Sequence, residues 1–190
     1  MNSKKVLISV FILVALAQLF APAKMILDRE NVLNTGKEYK FKTAPIDPSD
    51  PFRGKYIRLN FDDNTIEVQN EEDWVARENI YVLLTTDSSG FAKIKSVSKD
   101  EKIYSQDFLK AKVSQVNRNI LSIEYPFNRY YIEESKAYDA ETEYRESRID
   151  RNIVTYALVS IKEGEFVLKD VLIDGVSIRE IVNESQENNN

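Results

Sequence analysis

Two short segments hold residue types able to do chemistry. The first contains Asp47, Asp50, Arg53, Lys55 and Tyr56, with prolines at 45, 48 and 51 stiffening the chain around the acids. Prolines flanking Asp47 would hold its carboxylate beside the Arg53 guanidinium, an arrangement suited to gripping a polar group. A plainer reading has Asp47 capping turn amides, Arg53 paired with it, and Tyr56 in the core. The second segment is RYYIEE at 129–134. Tyrosines beside charges, as at Arg129, Tyr130, Tyr131 and Glu133, stack on sugar rings or fill a partner's groove. Its plainer reading puts Tyr131 in the core, with Glu133 and Glu134 favouring a helix N-terminus.

What the chain lacks narrows the chemistry further. It has no histidine and no cysteine. That removes the commonest general base, thiolate nucleophiles, Ser-His and Cys-His arrangements, and thiolate zinc sites. Carboxylates, lysines, arginines and tyrosines remain. A hydrolase would have to use carboxylates such as Asp47 and Glu133, which sequence cannot bring together. Acids at 134, 139, 141, 143 and 146 lack the glycine-centred loop and ligand spacing of a calcium site. With Arg145, Arg148 and Arg151 following, they read as an ion-paired, solvated face. A Ser-Lys peptidase needs a serine in a Ser-Met-x-Pro context soon after an anchor. Ser49 stands between Asp50 and Pro48 without the methionine. No metal and no cofactor is expected.

These segments need something to hold them, and the chain's first residues say where. Lys4 and Lys5 precede VLISVFILVALAQLFA, an uncharged run at 6–21 with Ser9 and Gln18 its polar members. Such a run is an export signal or a membrane anchor, and the lysines keep the amino terminus on the cytoplasmic side. Small residues at 21–23 and 15–17 resemble cleavage sites, but Pro22 interrupts the first and the second leaves Leu19 and Phe20 behind. The helical pattern also continues through Met25, Ile26, Leu27, Val32 and Leu33 until Gly36, where a helix C-terminus favours glycine. The retained anchor is therefore the expectation. Sixteen to eighteen residues span about 24–27 Å, enough to cross if Lys5 and Lys24 snorkel.

From Gly36 onward the pattern becomes that of strands. Tyr39 and Phe41 alternate with lysines; Tyr56, Ile57, Leu59 and Phe61 follow the proline-rich loop; 80–86 reads as a buried central strand. Hairpins are expected around 87–90, 117–119 and 162–165, and a turn at Asp174-Gly175. ESKAYDAETEYRES at 134–147 is one surface helix. The expected fold is mainly β (α+β): an antiparallel β-sandwich or small barrel with one inserted helix, preceded by a transmembrane helix. The expected division is an anchor at 1–35, an extracytoplasmic domain at 36–182 and a disordered polar tail at 183–190. Without Lys4 and Lys5 the rest carries 24 basic against 31 acidic residues, which argues against a nucleic-acid partner.

PIDPSDPFRGKYIRLNF at 45–61 resembles the signature of the GDYXXLXY family, bacterial membrane-anchored proteins of unknown function. The Gly-Asp-Tyr-x-x-Leu-x-Tyr segment reads here Gly54, Lys55, Tyr56, Ile57, Arg58, Leu59, Asn60, Phe61. Lys55 stands for the acid and Phe61 for the second tyrosine. IYVL at 80–83, RYYIEE at 129–134 and VLKDVLIDG at 167–175 follow in the family's order. The resemblance implies a short anchor, one extracytoplasmic β-rich domain, and genes beside those of polytopic membrane proteins. It implies no activity. The functional expectation is a non-enzymatic accessory or binding subunit for a polytopic membrane protein in the bacterial cytoplasmic membrane. A stand-alone glycan- or peptide-binding module is the alternative, with Asp47, Arg53, Lys55, Tyr56, Arg129, Tyr131 and Glu133 as the binding candidates.

Overall fold

The structure is a computed structural model that describes residues 3–43, 56–101, 108–147 and 153–188. Its first element, α1 (Ser3–Thr35), is one helix that runs through Pro22. It is long and apolar enough to cross a membrane by length and composition, and its apolar side chains, Leu7, Phe11, Leu19 and Leu27 among them, face outward. Its last turns behave differently. Val32 is buried, Arg29 Nη1 donates to the Phe166 carbonyl at 2.5 Å, and Lys162 Nζ donates to Thr35 Oγ1 at 2.8 Å. The helix thus ends docked on the domain it leads into.

Eleven strands and two further helices follow among the described residues. β1 (Lys37–Lys42), β9 (Thr155–Lys162), β10 (Glu165–Ile173) and β11 (Val176–Ser177) form an antiparallel sheet in the order β1-β9-β10-β11. β3 (Thr65–Glu67), β4 (Asn79–Thr86), β5 (Ala92–Ser98), β6 (Phe108–Asn117) and β7 (Ile120–Glu124) form another in the order β3-β7-β6-β4-β5. The two approach at corners, where Lys40 pairs with Phe91 and Leu109 with Gly164, so together they nearly close a barrel. The mainly β, antiparallel, barrel-like expectation is what the structure has.

Alternation sets which side chains fill that barrel. Ala157, Val159 and Ile161 of β9 point in and are buried, as are Leu109, Ala111 and Val113 of β6. Aromatic rings close one end: Phe127 lies 4.8 Å from Phe41 edge-on and stacks on Tyr125 at 5.3 Å. The Tyr125 hydroxyl donates to the Asp63 carbonyl at 2.8 Å. Burial, and secondarily the Asp63 charge, pushes its phenol far above the usual range. Hairpin turns at Arg118-Asn119, Glu163-Gly164 and Asp174-Gly175 take positive φ at both positions, matching the twist of their strands.

Two expectations about elements are corrected. A strand reaching Phe61 is instead short, β2 (Tyr56–Arg58). Gly36 follows the last residue of α1, as expected, but without a positive φ. It is required by close approach, since a Cβ there would lie 2.4 Å from the Val32 carbonyl oxygen and 3.1 Å from that of Ile161. The chain from Ile178 is a helix, α3 (Ile178–Asn188), so most of the expected disordered tail is helical. The Ser177-x-x-Glu180 pattern marks its start, with the Arg179 amide donating to Ser177 Oγ at 3.2 Å. Ile178 and Val182, one turn apart, are fully buried. The inserted helix, α2 (Glu134–Ser147), lies where the sequence placed it. Its Asp139 and Glu143 accept hydrogen bonds from Gln186 and Ser185, so those two acids hold α3 as well as facing solvent.

Candidate functional site

The short strand β2 pairs antiparallel with β8 (Arg129–Tyr131). Their register sets Tyr56 opposite Tyr131, Ile57 opposite Tyr130, and Arg58 opposite Arg129. The two sequence candidates therefore adjoin, as neighbouring strands of one small sheet. Ile57 and Tyr130 point into the core, and Tyr56, Arg58, Arg129 and Tyr131 share the opposite face. Because the pleat alternates, only one of two adjacent tyrosines can be buried. It is Tyr130, at 2% exposure, while Tyr131 is 60% exposed. The placing of Tyr131 in the core is thereby corrected, and Tyr56 is half-buried rather than in the core.

On this outer face the two tyrosine rings lie 5.6 Å apart, tilted by 56°. The Arg129 guanidinium sits 5.0 Å over the Tyr56 ring, a cation–π contact made diagonally across the strands. Arg58 and Arg129 are exposed, and neither has a carboxylate partner among the described residues. Two like charges directly opposite on one face repel.

Next to this face lies a surface pocket of about 400 Å³ lined by Tyr131, Ile132, Glu133, Lys136, Arg179 and Asn183. Glu133 is exposed and pairs with Lys136 at 3.7 Å. Arg179 reaches in from α3 and lies 5.3 Å over the Tyr130 ring. Beneath, the Tyr130 hydroxyl donates to Asp170 Oδ1 at 2.7 Å, and the Val171 amide donates to the same oxygen at 2.8 Å. A β-bulge between Leu168 and Asp170 lets that carboxylate make both bonds. Burial first, and then the Asp170 hydrogen bond and charge, hold the Tyr130 phenol well above its usual range; Arg179 opposes them. This network fixes the floor on which Tyr131 stands.

Of the sequence candidates, Tyr56, Arg129, Tyr131 and Glu133 come together here. Asp47, Asp50, Arg53 and Lys55 lie outside the described residues. Sequence reasoning passed over Arg58, although the alternation of Tyr56, Ile57 and Arg58 would have placed it beside Tyr56. It also passed over Arg179 and Asp170, which reach the site only through tertiary packing. A larger groove of about 730 Å³, between the 71–73 turn and Arg118-Asn119, is bound up with turn closure. There the Asn119 amide donates to Glu71 Oε2 and the Glu71 amide to Asn119 Oδ1, each at 3.2 Å. Among the described residues no group of three acids could hold a metal ion.

A family model described as "GDYXXLXY protein" matches residues 18–171. No curated protein and no solved structure matches the chain.

Proposed function

This chain belongs to the GDYXXLXY protein family, and from that premise we propose a non-enzymatic accessory subunit. It is held by α1 at the extracytoplasmic face of a bacterial cytoplasmic membrane and bound there to a polytopic membrane protein. One observation carries this reading: α1 passes into β1 without a linker, and its last turns are packed on β9 and β10. The outward apolar surface of α1 continues to Leu27, with Lys24 in it tied to Asp28 at 2.5 Å. Residues 6–27 rise about 33 Å, matching a hydrocarbon core of about 30 Å. Arg29, two residues on, already touches the domain.

A domain set so close to the bilayer, in one orientation, fits a subunit that meets a membrane neighbour. A module that had to search the envelope would gain from a flexible tether instead. Gln18 adds to this. Its side-chain amide faces outward from the apolar run, and Pro22, lacking an N–H, leaves the Gln18 carbonyl without its helical donor. Polar groups at that depth are satisfied by a neighbouring helix. Lys4 and Lys5 give the orientation, amino terminus inside.

The test is mild crosslinking in native membranes, solubilisation of the full-length chain, and identification of what is captured with it. A stoichiometric polytopic protein is expected, with its yield reduced several-fold by Gln18→Leu. Capture of nothing, at full extraction of the chain, would overturn the reading.

A further inference from the structure

The outer face of β2 and β8 combines two features that a free surface has no reason to keep together. Arg58 and Arg129 stand directly opposite each other with no acidic partner among the described residues. Tyr56 and Tyr131 stand opposite in the next register position, their rings 5.6 Å apart and Tyr131 60% exposed. An anion placed between the guanidiniums would turn the repulsion into two charge-assisted hydrogen bonds. The exposed Tyr131 ring beside it offers a flat apolar face that matches the face of a pyranose ring. The surface continues past Tyr131 into the pocket, where Arg179 stands beside Lys136, the latter paired with Glu133 at 3.7 Å.

We propose that this face binds an acidic polysaccharide, its carboxylate or phosphate group held by Arg58 and Arg129 and its sugar rings on the exposed Tyr131, with Tyr56 beneath Arg129 orienting that guanidinium. Charge complementarity selects an anion, and dimensions favour a glycan chain over a folded partner. Each strand has three residues, so the face is about 10 Å long. That accommodates a few sugars and falls well short of the roughly 800 Å² a stable protein interface occupies on each side. Among the described residues, the four strand positions on this face carry two arginines and two tyrosines and no aliphatic side chain to form the apolar centre of a protein interface. This site stands whether or not α1 has a membrane partner.

The experiment uses the full-length chain in detergent micelles, titrated with oligogalacturonate as the carboxylate probe and a phosphomannan as the phosphate probe. Neutral dextran and polyglutamate serve as comparisons. Saturable binding to at least one acidic glycan is expected, weakening as salt rises and absent for dextran. Arg58→Gln with Arg129→Gln should weaken it tenfold or more, and Tyr131→Ala several-fold, whereas Lys112→Gln, on exposed β6 surface, should leave it unchanged. Failure of both glycans to bind, equal binding by the double variant, or polyglutamate binding as tightly as either glycan would overturn the proposal. The two glycan probes distinguish which anion the arginines prefer.

Discussion

Tyr130 offers a quantitative test of how the site is held. Tyr130→Phe keeps the ring beneath Arg179 and removes only the hydroxyl that donates to Asp170 Oδ1 at 2.7 Å. A hydrogen bond to a charged acceptor contributes about 1.5–3 kcal/mol, and that loss is expected at neutral pH. The pH dependence is more specific. An exposed phenol titrates near 10.0, and the folded Tyr130 and Tyr125 are both held above that. Above pH 10 the unfolded chain therefore binds fewer protons than the folded one, and stability falls as pH rises. Their contribution is complete below pH 10 and is lost progressively above it. Each such phenol adds a slope of about 1.4 kcal/mol per pH unit, so the pair adds about 2.7. Denaturant titrations of the full-length chain in micelles at several alkaline pH values measure this slope, with phenolate absorbance following ionisation. Tyr130→Phe should remove about half of the pair's contribution. A slope unchanged in the variant, or a neutral-pH loss under about 0.5 kcal/mol, would refute the argument that this buried bond supports β8.

Other outcomes follow from the same structure. Ser160 is fully buried and its hydroxyl has no hydrogen-bond partner among the described residues, so Ser160→Ala should leave stability unchanged or raise it by about 1 kcal/mol in the same assay. Gly36→Ala would force a Cβ to within 2.4 Å of the Val32 carbonyl oxygen. It should cost about 1–3 kcal/mol and open the joint between α1 and β9 to limited proteolysis. A retained anchor predicts a mature chain at the full 22.0 kDa by intact mass. A form shorter by about 2 kDa, the mass of roughly 20 residues, would show that the leader is removed and that α1 is not the anchor.

How far the sequence reached follows from which forces were local. Strands with clean alternation, such as 92–98 and 108–117, and the capped turns between them were legible because period and turn chemistry are set by near neighbours. The helix at 134–147 was legible for the same reason. α3 was missed even though Ser177 and Glu180 spell its cap and Ile178, Ile181 and Val182 its buried face; the polar run after Val182 drew the reading toward a tail. The site was legible in parts. Tyr56, Arg129 and Tyr131 were recognised as candidates, but their meeting depends on a pairing between strands more than seventy residues apart. No local signal encodes that pairing. Arg179 and Asp170 join them from two further elements.

The position of Ser160 links the anchor to the fold. Its neighbours Val159 and Ile161 point into the barrel, so Ser160 points out with Lys162, which bonds to Asn31 and Thr35 of α1. A residue on the outer face of a sheet is buried only if something covers it, and the end of α1 lies against β9, bonded to Lys162 two residues on. That packing also buries Val32 and holds Arg29 over the Phe166 ring at 5.5 Å. Phe166 in turn packs on Phe127 at 5.4 Å, within the aromatic end of the core. The stem is thus continuous with the core through side-chain packing, not merely joined to it by a peptide bond. A domain attached in this way cannot swivel on α1 without breaking apolar contacts. Insertion of a flexible segment between Thr35 and Gly36 would test this. It should leave glycan binding by the β2–β8 face intact while abolishing capture of a membrane partner, because only the latter needs the fixed geometry.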